Sequence, residues 1–203
     1  MLGKAAITMW CDVAPEVKPE FEDWHSHEHM PERLAIPGFL RGTRWSDASG
    51  EKYFILYELD QLDTLTSAAY LERLNNPTPW SRKMMPHHRN MVRSLCAVRA
   101  GFGGGLPRAL ATIRFTARGD ISAELQKVPS RKGLTSAHLL ESQPMPSAQT
   151  TEQKIRGGDA RADWVVLLGG YDPDAVRHAC DELHLSGALV GLYSPIYSLC
   201  ARE

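Results

Sequence analysis

Between Trp24 and Phe39 the chain reads Trp-His-Ser-His-Glu-His-Met-Pro-Glu-Arg-Leu-Ala-Ile-Pro-Gly-Phe, with Asp23 just ahead of it. No other stretch concentrates titratable groups in this way. His25 and His29, four residues apart, fall on one face of a helix. Imidazole titrates nearer neutrality than any other side chain, so such a pair can exchange protons at working pH. His29 is read as a general acid or base facing a cleft between helix and sheet, because a helix-terminal histidine with acids nearby can be tuned toward neutral pH. Glu28 or His25 would orient it or relay its proton. The plainer alternatives are a buried histidine bonded to backbone for His29 and a solvated helix position for His25. His27 points to the opposite side of the helix, where no role is expected.

The His-x-His-x-His spacing invites a metal, but positions i, i+2 and i+4 of a helix do not converge. Only His25 and His29 could ligate together, and they would need Glu28, Glu32 or another group from elsewhere. No metal is expected. His87-His88, after Pro86, is expected at the exposed surface. Strict alternation in a strand places Tyr53, Ile55 and Tyr57 on one face, and Phe39, Arg41, Thr43 and Trp45 on one face of their own strand. Arg41, Trp45 and Tyr57 are the candidate substrate-binding residues. A guanidinium and a phenol would hold an oxyanion or carboxylate, with aromatic rings as pocket wall; ordinary sheet contacts are the alternative. Trp80 is read as a loop anchor. Gly103-Gly104-Gly105 lacks the lysine and helix start of a phosphate loop. No dinucleotide fingerprint, G-x-S-x-G, S-x-x-K or C-x-x-C pattern is present, so no cofactor is expected.

These residues must be carried by a defined set of elements. Residues 4–13, 39–45, 53–59 and 91–102 read as strands, and 15–36, 64–74 and 80–89 as helices, with Pro37-Gly38 ending the first helix. The order is β-α-β-β-α-β, a ferredoxin-like unit. The glycine-rich run from Gly101 to Pro107 reads as a linker. The pattern then restarts, with strands at 109–117, 135–141, 163–169 and 188–201, helices at 121–128 and 174–183, and a polar loop at 143–161. Ser94-Leu95-Cys96-Ala97 closes the first half and Ser198-Leu199-Cys200-Ala201 the second. A tandem duplication follows, with units at 1–102 and 107–203. The second copy lacks histidine in its first helix, so the chemistry is expected in the first.

Of the 203 residues 43% are apolar and 23% charged, and the net charge is −1. Such a balance argues against a general nucleic-acid or anionic-membrane binder. No apolar run is long enough to span a bilayer. The first residues lead straight into a strand, so no signal peptide is expected. Cys11, Cys96, Cys180 and Cys200 form no close pair and read as reduced thiols of a cytoplasmic protein.

The first half, over about residues 4 to 100, resembles the EthD-like branch of the dimeric α+β barrel superfamily. The resemblance rests on Trp24 to Phe39, on Tyr53 to Leu59 and on Pro77-Thr78-Pro79-Trp80-Ser81, with His29-Met30-Pro31 and Pro37-Gly38 matching the branch's histidine and Pro-Gly. His25 and His27 are additions to that pattern. The resemblance implies an α+β fold of two tandem ferredoxin-like units forming an intramolecular dimeric α/β barrel. Function follows less directly, because the fold hosts many chemistries. The favoured expectation is a cofactor-independent enzyme that transfers a proton at carbon, isomerase-, cyclase- or monooxygenase-like, on a small aromatic, lactone or polyketide-like molecule. The alternatives are a non-catalytic small-molecule or haem-binding module and a structural protein. The expected partner is a small molecule, not nucleic acid or membrane, and a homodimer of the duplicated chain stays open.

Overall fold

Residue patterns with a period of two dominate the architecture. In the first strand, β1 (Ala5–Asp12), Ala5, Ile7, Met9 and Cys11 join one apolar cluster while Ala6 and Trp10 join another. Both faces are therefore buried, and the strand reads as a nearly continuous apolar run in which Thr8 is the polar interruption before Asp12. The computed structural model describes residues 1–116, 121–144 and 149–202. The further strands are β2 (Phe39–Ser46), β3 (Lys52–Leu59), β4 (Arg89–Gly103), β5 (Ala109–Phe115), β6 (Leu134–Ser142), β7 (Trp164–Gly170) and β8 (Leu189–Cys200). They form one closed barrel in the order β1-β3-β2-β8-β5-β7-β6-β4. Every pairing in it is antiparallel.

The order contains the same four-strand arrangement twice, β4-β1-β3-β2 and β8-β5-β7-β6. The two sheets join along two seams. Arg41 to Ser46 of β2 pairs with Ser194 to Cys200 of β8, and Cys96 to Gly103 of β4 pairs with Ser136 to Ser142 of β6. The two Ser-Leu-Cys-Ala tetrads lie on β4 and the end of β8, the equivalent seam strands. Closure leaves no sheet edge exposed. Side chains fill the interior, with Trp10, Trp45, Phe54, Leu56, Leu110, Leu140 and Leu167 at its centre.

Helices cover the outside of the barrel. In the first half α1 (Lys18–Trp24), a π-helical turn (His25–His29) and α2 (Met30–Leu34) run as one rod. A 3₁₀ turn (Leu62–Thr66), α3 (Ala68–Asn75) and α4 (Pro79–Met84) follow β3. The second half carries α5 (Ser122–Gln126), α6 (Thr151–Arg156) and α7 (Pro173–Glu182). Each half buries its own apolar layer between helices and sheet.

Three expectations need correction. The expected linker begins too early, because Gly101, Phe102 and Gly103 still belong to β4 and pair with His138, Ala137 and Ser136. Gly103 adopts φ +68°, and a Cβ there would stand 2.0 Å from the carbonyl oxygen of Thr135, so only glycine fits. The polar stretch after β6 is not a plain loop. It contains α6, opened by a capping box in which the Thr150 hydroxyl accepts from the Gln153 amide and the Gln153 side chain accepts from the Thr150 amide. Finally, Phe39 does not share a face with Arg41, Thr43 and Trp45. A bulge between Phe39 and Arg41 shifts the register, so Phe39 joins the helix-side layer with Tyr57 while Trp45 points into the barrel. Ala117, the expected end of the fifth strand, and residues 145–148 of the expected loop lie outside the described residues.

Candidate functional site

Pro19 opens α1 in its first turn, where a missing N–H costs nothing. The rod changes pitch at the histidines. The Met30 amide donates to the carbonyl of His25, five residues back, which defines the π turn. Pro31 follows at once and can donate no amide of its own, so the ordinary ladder is interrupted where the wider turn sits. The rod lies close to the sheet at Gly42. A Cβ there would come within 2.9 Å of both the Met30 side chain and the Tyr57 ring. Glycine at this point lets α2 approach β2 closely.

His25 and His29 both face the sheet and are buried, at 1% and 8% exposure. Their rings stand 5.6 Å apart, and His29 leans on the Trp24 ring at 4.5 Å. Phe21 flanks His25 at 5.8 Å. His88 closes the group from the other side, 5.2 Å from Phe21 and 5.8 Å from Trp24. Burial holds His25 and His29 well below the ordinary histidine value; Arg44, His88 and Arg33 add to the effect at His25, and Arg33, His25, His88 and Arg156 at His29. Burial likewise lowers His88 to about 4. All three imidazoles are neutral at pH 7.

Neutral bases are one half of the arrangement; unspent donors are the other. Both ring nitrogens of His25, Nδ1 of His29, the Tyr57 hydroxyl, one terminal nitrogen of Arg33 and Nε of Arg44 are buried without a hydrogen-bond partner. Burial also raises the Tyr57 phenol, so it stays protonated. Arg44 donates to the Glu22 carbonyl and the Ser26 hydroxyl, both at 3.1 Å, which ties it to the histidine rod. Arg33 forms a buried ion pair with Glu152 of α6. Glu152 in turn lies 3.6 Å from Arg156, which also pairs with Asp159 at 2.9 Å. A helix from the second half of the chain thus completes the charge balance of a buried cluster built on the first.

The expected site residues divide. His25, His29 and Tyr57 all lie buried in the helix–sheet layer of the first half. Glu28 does not serve the histidines: its carboxylate accepts from the hydroxyl of Thr78 at 2.6 Å and from Trp24 Nε1 at 3.2 Å, pinning the rod to the start of α4. Arg41 and Trp45 lie on the other side of the sheet. Arg41 donates to Glu58 at 2.9 Å, and both line a barrel-mouth cavity of about 30 Å³ together with Trp45. Such a space holds about one water, so these two cannot share a ligand pocket with Tyr57. His27 is exposed and pairs with Asp23 at 2.9 Å. His88, expected at the exposed surface, is half-buried. It, Arg33, Arg44 and Glu152 escaped the sequence reading. Glu152 could have been found, because Thr150-x-x-Gln153 is a helix-start signature; His88 carries no such signal. Among the described residues no group of three His, Cys, Asp or Glu side chains assembles as a metal site.

The closed antiparallel barrel with helices outside it is an α+β fold consistent with a dimeric α/β barrel formed within one chain. No family profile and no curated protein matches the sequence. Solved structures do match in fold. An anthrone oxidase-like protein superposes with TM-score 0.62 at 11% identity, over 98% of this chain and 94% of that one. A candidate monooxygenase from Fusobacterium nucleatum gives 0.59 at 9% identity, over all of both chains. Another from Lactobacillus acidophilus gives 0.57 at 8% identity, over 98% of this chain and 97% of that one. No described helix is long and apolar enough to cross a membrane.

Proposed function

We propose that this chain is a cofactor-independent enzyme that removes a proton from an activated C–H of a small aromatic or polyketide-like molecule. The single observation that carries the reading is that one buried layer holds both imidazole nitrogens and hydroxyl and guanidinium donors without hydrogen-bond partners. A base that is neutral when the site is empty can accept a proton. Burial opposes an isolated imidazolium. An anion forming beside it offsets that cost, so uptake of the proton is coupled to making the carbanion. His29 is the base and His25 its relay. The Tyr57 hydroxyl, with the free guanidinium nitrogens of Arg33 and Arg44, stabilises the oxygen on which the negative charge settles.

Names borne by the fold's relatives suggest the electron acceptor. In a monooxygenase-like reaction, dioxygen takes one electron from the carbanion and recombines with the radical at carbon. The resulting hydroperoxide loses its second C–H proton and the O–O bond, leaving a ketone and one water. A CH₂ group becomes C=O, and O₂ is consumed one for one. The first half is further read as an EthD-like unit and the whole chain as a tandem duplication acting in the cytoplasm.

The test uses anthrone as probe. Oxygen uptake matched by anthraquinone formation supports the reading. Exchange of the anthrone CH₂ protons with deuterium without oxygen uptake would keep the proton transfer and discard the oxidation. Absence of both on anthrone and on a panel of lactones and phenolic ketones rejects it.

A further inference from the structure

A concavity lies between α3, β4 and the start of α6. Its volume is about 480 Å³. This falls in the range of small-molecule pockets, about 300–1,000 Å³. Leu65, Leu71, Leu74 and Leu95 make much of its wall apolar, and among the described residues Arg93 is the one charged side chain lining it. Arg93 is 95% buried by its 5% exposure.

A buried guanidinium normally has a carboxylate beside it, because an unpaired charge out of water is costly. Arg93 donates instead to the neutral hydroxyl of Tyr70. Among the described residues no carboxylate forms an ion pair with it. The acids of the neighbouring arm are committed elsewhere, Glu152 to Arg33 and Arg156, and Asp159 to Arg156. Some of the polar groups at the rim are already engaged. Gln153 and Thr150 bond each other in the capping box, and Asn75 accepts from the Thr151 amide at 3.1 Å. One cation without a counterion therefore stands at the wall of a mostly apolar cleft.

We propose that this cleft binds a small amphipathic anion, an apolar body ending in a carboxylate, with Arg93 as its counterion. The hydrocarbon lies against Leu71, Leu74 and Leu95. The carboxylate accepts from Arg93 and from the Tyr70 hydroxyl, whose oxygen already accepts from Arg93 and whose proton is free to be donated. The site is separate from the histidine pair and does not depend on the chemistry proposed there, since it is read by binding alone.

The experiment titrates the full chain with octanoate and 1-naphthoate, and with octanamide as the uncharged match, by calorimetry and by amide chemical shifts. Both acids should bind saturably, with shifts centred on Leu71, Leu74 and Leu95, and octanamide should bind at least about tenfold more weakly. Hydrogen bonds to charged groups are worth enough that Arg93→Gln should weaken octanoate about ten- to hundred-fold and leave octanamide unchanged. Leu71→Trp, at a half-buried position, should block both without touching the charge, which keeps the test decisive if Arg93→Gln fails to fold. Equal binding of octanoate and octanamide, shifts centred elsewhere, or no saturable binding of either acid would overturn the proposal.

Discussion

The two helix–sheet layers of this molecule share a strand order and differ in what they bury. The first-half layer holds Phe21, Trp24, Phe39, Tyr53, Tyr57 and Tyr70, together with His25, His29 and Arg33. The buried apolar set of the second-half layer is aliphatic apart from Cys180, with Leu125, Leu134, Val166, Leu168 and Val176 typical. Its helices bring no buried histidine. A layer that only has to be stable excludes ionisable groups, because each unpaired one costs free energy. A layer that retains three neutral histidines and two incompletely bonded arginines bears that cost for another reason, and the proposed chemistry supplies one. The comparison also has a limit. Glu152, from the second half, neutralises Arg33, so the halves are not independent.

The largest expected effect breaks the comparison at its centre. A positioned base contributes about 10²–10⁴-fold to rate. His29→Gln should remove that much of the turnover measured with anthrone and leave the circular dichroism spectrum unchanged; a variant that melts earlier yet turns over normally per folded molecule would make His29 structural. Next comes the link between halves. Taking away one partner of a buried ion pair costs about 3–5 kcal/mol, so Glu152→Gln should lower stability in urea by that order. A loss under about 1 kcal/mol would detach α6 from the histidine layer, since surface pairs are worth no more than that.

Acid tests the layers by titration. His25, His29 and His88 lie below the ordinary histidine value, as does His138 at the barrel mouth, where burial, the N-terminal ammonium and Arg41 lower it to about 4. The unfolded chain takes up protons below about pH 6.5 while the folded chain does not, so stability is complete above that pH and falls as pH is lowered through it. Each histidine adds a slope of up to about 1.4 kcal/mol per pH unit. Urea midpoints between pH 7 and pH 5 should show the fall, and His29→Gln should flatten it; a midpoint independent of pH contradicts the buried cluster. Smaller still is the cap of α6. Thr150→Ala should cost about 0.5–2 kcal/mol, seen as faster amide exchange in 151–156. His27→Gln, on the exposed face, should stay within about 0.5 kcal/mol and leave turnover unchanged.

Much of this was legible in the sequence because it obeys a period. The alternation in β1 and β3, the i, i+4 histidines and the Pro37-Gly38 stop fix local elements and their faces. What escaped depends on relations with no local trace. The bulge at Phe39–Arg41 changes which face Arg41 and Trp45 present, and a one-residue slip inverts every side chain after it. Glu28 is drawn from the histidines by Thr78, Trp24 and Ser81, two of which are distant in sequence. Glu152 meets Arg33 across 119 positions. Its helix was readable from the capping box, but its destination was not.

The seam between β2 and β8 has a consequence for how the chain is made. Arg41 waits for Cys200 as its partner. During synthesis the first half emerges with β2 and β4 as bare sheet edges, and both remain open until strands far downstream have left the ribosome. Unpaired edges of that kind invite pairing with another nascent chain. Contacts so distant in sequence also form slowly. Production at lower temperature, or with chaperones that shield extended segments, should therefore raise the soluble yield.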